Sequence, residues 1–469
     1  HPLRGGVRSF GSIFGGGRVD IPTDDDPTAI RAALWYATDR RYKAAVEQLT
    51  WVKTNAEVGV AAEDPSPDFS AEPRESYTEA VVHSSVERRA WEEKLRRYTA
   101  PFARYGDIYE GSATFIAEDE TRWYTNSEGS AIQTSRPIYR LYIAAFSKAD
   151  DGMELPRYES YWAFTPEGLP SDRTVLAAVA KIIEDLHALR HAPSLEPYTG
   201  PAILSGRASA VFFHEVFGHR VEGHRQKLEL EGQTFKKKVN EAVLPASMSV
   251  VFDPTLRHLG ATDLAGFYRY DDQGVKARPV TVVDHGILKT FLMARSPIEG
   301  FASSNGHGRA QLGLSPVARQ SNLIVETTDP KSRAELRRML IDEVRRENKP
   351  YGLLFDDIAG GFTITMRVIP NAFNVLPVMV YRVFPDGREE LVRGVDFIGT
   401  PLTTFSKIVA ADNDVQVFNG LCGAESGWVP VSAVSPGVLL SQVEVQKKFK
   451  SQERPPILPP PSDSVPATP

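Results

Sequence analysis

Thiols are almost missing from this chain. Cys422 is the only cysteine in 469 residues, so there is no internal disulfide, and without a Cys-x-x-Cys pair there is no framework for a structural metal or an iron–sulfur cluster. Positive charge is not in excess either. Lys and Arg number 54 against 60 Asp and Glu, a formal charge of −6, which gives no electrostatic drive onto nucleic acid or an anionic membrane. No nucleic-acid partner is expected. Long apolar runs are also lacking: none approaches the roughly 18 residues of a bilayer span, and Pro377 interrupts the stretch from Val375 to Val380, so no transmembrane segment is expected. The poverty of thiols suits a cytoplasmic protein, the reading adopted. An exported or periplasmic protein is the alternative, because the chain starts at His1 without a leader, as it would had an upstream segment been removed. What is present, 42% hydrophobic and 24% charged residues, describes an ordinary globular chain long enough, at roughly 150 residues per domain, for two or three domains.

The pattern along the chain predicts an α+β protein of two domains. Residues 1–200 read as an N-terminal mixed α/β domain, residues 201–450 as a strand-rich C-terminal domain carrying the chemistry-bearing helix, and residues 451–469, with seven prolines, as a mobile tail. After a glycine-rich start (Gly5 to Gly17), Asp26-Pro27 reads as an N-cap with proline at the first helical position, opening a long helix through Trp35, Val46 and Trp51. Pro65, Pro67 and Pro73 make the next segment loop, and a second helix is expected from about Tyr77 to Tyr98. Short strands follow at Ile108 to Ile116, Arg122 to Thr125 and Ile138 to Phe146, with a turn at Asn126 to Gly129. Ser171 or Asp172 starts a helix with Val175, Val179, Ile182, Ile183, Leu186 and Leu189 at helical spacing, ended by Pro193, Pro197 and Pro201. Beyond it, turns at Asp271 to Gly274, His285-Gly286 and Asp386-Gly387 separate strands such as Thr281 to Val283 and Ile287 to Leu292. Val380 to Phe384 and Glu389 to Val392 form the clearest hairpin, and Pro330 to Arg346 is one further helix. No internal repeat is found.

The stretch that carries chemistry runs from Gly206 to His224, an apolar helix in which His214 and His219 bracket Glu215. Imidazoles are good zinc ligands, and a carboxylate next to one of them can take a proton from water at the metal's open position. In the usual His-Glu-x-x-His spacing the ligands are four apart and share a face. Here they are five apart, a rotation of roughly 500° that leaves the rings about 140° apart on a regular helix. One metal therefore requires a widened π-type turn or a break between His214 and His219, with Gly218 as the residue that tolerates it. A catalytic zinc needs a third ligand. Cys422, His224 and Glu222 are the candidates, and Cys422 is preferred because flanking glycines let the backbone present a soft thiolate, whereas His224 demands a second i+5 distortion.

The run from Gly206 to Arg225, the Asp-Asp-Gln-Gly-Val of Asp271 to Val275, and the Cys-Gly-x-x-x-Gly-x-x-Pro-Val beginning at Cys422 resemble the TldD/PmbA family of zinc metallopeptidases, also called the modulator of DNA gyrase family. The resemblance covers about Tyr124 to Glu444 and is to the TldD type, which carries His-Glu-x-x-x-His and a distant cysteine that its PmbA (TldE) partners lack. It implies zinc held by His214, His219 and Cys422, Glu215 as general base, and hydrolysis of small or unfolded peptides. It also implies a dimer, either of identical chains or with a TldE/PmbA-like sister chain.

Each reading has a plainer rival. The two histidines could be core or capping residues, Glu215 an ion-pair partner of Arg207 or Arg220, and Cys422 a small buried hydrophobe. The alternative for the whole protein is a metal-stabilised, non-catalytic subunit that binds peptides or a sister chain. His224 is expected at the surface or lining substrate rather than on the metal. His307, in the flexible Asn305 to Arg309 stretch, is expected as a solvated loop residue, with substrate lining as its functional role. Phe212, Phe213 and Phe217 are expected to pack around the ligands and keep their surroundings dry.

Overall fold

A computed structural model describes residues 19–56, 64–228, 230–366 and 373–448. The glycine-rich start and the proline-rich tail lie outside the described residues. Helix α1 (Pro27–Ala56) begins as expected: the Asp26 carboxylate accepts from the backbone N–H groups of Thr28 and Ala29 at 2.8 and 3.3 Å, with proline at the first helical position.

The segment expected as one helix from Tyr77 is a short strand β1 (Ser76–Thr78) followed by a helix α2 that starts only at Arg88 (Arg88–Thr99). Ser76 to Thr78 pair in parallel with Ala131 to Gln133, a sheet contact that outweighs local helical pattern. Strand β2 (Ile108–Thr125) is continuous where two strands were expected, because its whole length pairs antiparallel with β3 (Ala131–Lys148). Gly129 closes the turn between them at φ +91°, with its N–H on the Asn126 carbonyl. Strand β4 (Glu154–Ala163) joins β3 on its other side. Helix α3 (Asp172–His191) is capped by Ser171 Oγ, which accepts from Thr174 N–H. Its apolar stripe, the six residues predicted, is buried with α2 and one face of this sheet.

Downstream, two sheets enclose one helix. Strand β5 (Tyr198–Leu204) leads through Ser205 into α4 (Gly206–Val216). The first sheet holds β6 (Met248–Phe252), β7 (Val280–Asp284), β8 (Ile287–Leu288) and β9 (Asn322–Thr327), then β15 (Gln416–Ala424) and β16 (Gly427–Ser435), in the order β8-β7-β6-β9-β16-β15. The β7–β8 turn is His285-Gly286 as expected, both at positive φ, but pairing stops at Leu288 rather than Leu292. The second sheet contains β10 (Gly352–Thr363), β11 (Phe373–Val383), β12 (Glu389–Val392), β13 (Val395–Gly399), β14 (Ile408–Asp412) and β17 (Val438–Lys447). Within it β5 pairs with both β10 and β17, so β5-β10-β11-β13-β17 form a closed circuit of five strands. The β11–β12 hairpin turns at Asp386-Gly387, and helix α5 (Arg333–Arg346), opened by a Ser332/Glu335 capping box, covers β5.

Helix α4 touches β10 and β11 on one side and β15 and β16 on the other. Apart from Arg207, its residues are buried, the pattern expected of a helix that is apolar all round. Its first turn is tied to the N-terminal sheet by ion pairs. Arg157 on β4 reaches Asp185 at 2.8 Å and Asp357 on β10 at 2.6 Å, while Arg207 reaches Asp357 at 3.1 Å and Glu159 at 3.2 Å. Among the described residues no helix is long and apolar enough to cross a membrane.

Candidate metal centre

The α-helical bonding of α4 ends where the sequence requires. Phe217 N–H still reaches the Phe213 carbonyl at 3.1 Å, but Arg220 and Val221 N–H both turn to the Phe217 carbonyl, opening a 3-10 turn over Gly218–Val221. The interruption between His214 and His219 is thus a break into a tighter turn rather than a widened one. The carbonyls freed at the helix end are satisfied by side chains: Gln320 Nε2 donates to the His214 carbonyl at 3.1 Å and Arg220 Nη1 to that of Glu215 at 3.2 Å. Gly218 is needed for a different reason from the one expected. A Cβ there would lie 1.9 Å from Gln320 Oε1, so glycine makes room for the amide that caps the break.

The break turns the His219 ring back toward His214, 5.1 Å between centroids. Cys422, near the end of β15, brings its Sγ to 3.3 Å from His219 Nε2. One ligand atom from each of His214, His219 and Cys422 lies within 4.8 Å of the others, and all three residues are buried. Two imidazoles and a thiolate suit a borderline-soft divalent ion such as zinc, so the residues present fit the metal that the sequence implies. Their electrostatics agree. Burial pushes the Cys422 thiol up, but His219 and His214 outweigh it and hold it well below the usual thiol range. Burial lowers His219, yet Cys422 and Glu222 hold it well above an ordinary imidazole. Each of the two groups favours the charged form of the other, and a metal bound between them competes with the proton.

Behind the ligands stands a layer that sequence reasoning did not assign. Glu222, weighed only as a third ligand, lies 3.3 Å from His219 Nδ1 and orients the ring so that Nε2 faces the sulfur. Glu222 is fully buried; Arg225 at 2.8 Å and Arg319 at 3.5 Å pair with it, and with His219 they overcome burial to hold its carboxyl down at about 2. Arg319 also donates to the Cys422 carbonyl at 2.7 Å and sulfur at 3.2 Å. The i+3 spacing of His219 and Glu222 was the signal available; Arg319 and Gln320 carry none.

Glu215 lines the same cleft as the three ligands, a space of about 460 Å³. It is not the ion-pair partner of Arg207, whose guanidinium goes to Glu159 and Asp357; the Arg220 guanidinium both donates to its main-chain carbonyl and is attracted by its carboxylate. Gly361 on β10 abuts it, where a Cβ would lie 2.8 Å from Glu215 Cγ. His224 is buried rather than at the surface, joined through Nε2 to Glu425. His307 is also buried, against the expectation of a solvated loop. Its Nδ1 is 3.1 Å from Asn305 Oδ1 and its Nε2 3.1 Å from Ser321 Oγ, and burial pushes its pKa down to about 3. The three phenylalanines are core: Phe212 meets Phe373 and Phe397, and Phe217 meets Phe235 and Phe405.

A family model described as the PmbA/TldA metallopeptidase C-terminal domain matches residues 197–447, from β5 to the end of β17. This chain belongs to the PmbA/TldD family. A metalloprotease of Archaeoglobus fulgidus is 30% identical over 262 residues, 55% of this chain and 56% of that one. A zinc metalloprotease TldD homolog of Saccharolobus solfataricus is 22% identical over 250 residues, 52% of this chain and 51% of that one. The chain spans about half the length of these relatives. The fold is that of TldE from Thermococcus kodakarensis, with a TM-score of 0.59 at 14% identity over 90% of this chain and 86% of that one.

Proposed function

We propose that the chain is a zinc peptidase of the TldD type, acting on small or unfolded peptides, with His214, His219 and Cys422 as metal ligands and Glu215 as general base. The observation that carries this reading is the convergence of three buried ligand atoms within 4.8 Å on a cleft that Glu215 also lines. Zinc, when bound, acidifies a water and polarises a carbonyl. Glu215 takes the proton of the attacking water and returns it to the leaving amine. Glu222 holds the tautomer and orientation of His219, and Arg319 balances the thiolate.

The walls of the cleft suit an extended peptide. One is β10 beyond Phe355, where β5 no longer pairs with it, and the other is β15, the outermost strand of its sheet. Both offer main-chain donors and acceptors, so a peptide added as a strand gains affinity with loose sequence preference. The working assembly in this reading is a dimer, with an identical chain or a TldE-like sister, as the resemblance to the TldD type implies.

Glu215→Gln tests the reading. The variant is expected to keep its zinc and its fold while peptide hydrolysis falls by about two to four orders of magnitude. Undiminished hydrolysis would remove Glu215 from the chemistry, and undiminished biological function without hydrolysis would favour a non-catalytic subunit.

A further inference from the structure

Leu421 and Trp428 line the cleft at the candidate metal centre. Both side chains also line a second, larger cleft of about 640 Å³, walled by β2, β3 and the segments 267–272 and 309–312. Three carboxylates in its wall are paired with arginines, while Asp271 and Asp119 accept from backbone N–H groups. Glu120 sits between Arg122 at 2.6 Å and Arg136 at 2.9 Å, Glu79 meets Arg269 at 2.9 Å, and Asp272 pairs with Arg122 and accepts from Ala310 N–H at 2.8 Å.

Arg309 is the exception. It is only 4% exposed, yet its guanidinium donates one hydrogen bond, to the Gln320 carbonyl at 2.6 Å, and otherwise lies over the Tyr268 ring at 4.8 Å. Among the described residues no carboxylate comes within ion-pair distance of it. A buried cation left so is costly unless something else pairs with it. Burial, with Arg136, Arg319 and Arg122 nearby, pushes its pKa down to about 10. On β3, half-buried Arg140 lines the same space, its guanidinium 5.4 Å from the Trp162 ring centroid and drawn to Glu118 of the same wall without an ion-pair contact.

Arg309 is also held in place. Asp271 accepts from Gly308 N–H at 2.8 Å and from Gln273 and Val275 N–H at 2.9 Å, and Asp272 holds Ala310 on the other side. The Asp271 to Val275 motif therefore fixes the backbone on both sides of this arginine. A guanidinium fork fits a planar carboxylate better than any other common peptide group.

We propose that Arg309, with Arg140, forms a carboxylate-binding subsite for the peptide that reaches the metal centre past Leu421 and Trp428. The proposal rests on the peptidase reading and specifies its substrate: a peptide carrying a carboxylate, terminal or side-chain, some residues from the scissile bond.

Calorimetric titration of zinc-loaded Glu215→Gln protein, which binds without turnover, tests it with matched peptides. One pair differs in a free or amidated C-terminus and the other in an internal Glu or Gln. Loss of the relevant carboxylate is expected to weaken binding about tenfold or more, and the pair that responds identifies its source. Adding Arg309→Gln should erase that difference. Arg309→Lys, which keeps the charge and spares the fold, should retain part of the preference, and Arg140→Gln should reduce it. Equal binding within both pairs, or a preference that survives Arg309→Gln, overturns the proposal. The wild-type hydrolysis assay separates the two readings: cleavage with no carboxylate preference sinks the subsite alone, whereas carboxylate-dependent binding without cleavage supports the subsite and sinks the peptidase.

Discussion

Helices α1 and α4 differ in almost every respect. Helix α1 has 30 residues, a proline-and-aspartate start, an Asp39–Lys43 pair at 2.7 Å, and aromatic side chains in the open, Trp35 at 67% exposure and Tyr42 at 69%. Helix α4 has 11 residues and is buried except at Arg207. The first draws on length, capping and neighbouring pairs along its own turns. The second exists because two sheets close over it, and it ends in mid-sequence because a side chain from elsewhere, Gln320, takes over its carbonyl. The candidate ligand His214 lies on, and His219 just past, the helix with less intrinsic stability and more surroundings, where side-chain positions are over-determined.

The contrast can be broken in three places. Removing the sulfur should have the largest effect: Cys422→Ala is expected to weaken zinc binding by at least about 100-fold, since even outer partners of a metal site cost 10–100-fold. Metal content after dialysis reads this directly, and full retention would exclude Cys422 as a ligand. Next, Gly218→Ala pushes a methyl into the buried Gln320 amide and is expected to cost about 1–3 kcal/mol, seen as a lower urea midpoint, with zinc affinity falling as the His214 carbonyl loses its cap. An unchanged midpoint would mean that the helix end does not depend on Gln320. Smallest is Trp35→Ala on α1, expected to shift stability by no more than about 0.5 kcal/mol. A larger loss would show that this face of α1 is covered in the assembled protein.

The same contrast explains what could be read from the sequence. Local signals held: the caps at Asp26 and Ser171, the stripe of α3, the hairpin at Asp386-Gly387 and the break demanded by a five-residue histidine spacing. Each depends on residues a few positions apart. Readings failed where distant chain decides. Tyr77 became strand because β3 lies beside it, the acidic stretch Glu118 to Glu120 stayed within β2 because β3 pairs with all of it, and His307 went inside because Asn305 and Ser321 meet both its nitrogens. At the metal centre the donor set was visible as residue types and spacing. Its supports, Arg319 and Gln320, come from a segment with no distinguishing pattern.

The closed circuit of strands has a consequence for how the protein is made. Strand β5 is synthesised before α4, but its ring partner β17 is Val438–Lys447, the last strand described. A nascent chain must therefore carry an unzipped seam beside α4 until Val438–Lys447 has been made. Cys422 lies on β15 in the other sheet, which touches α4 without β17, so closing the circuit and bringing the sulfur to the histidines are separate steps.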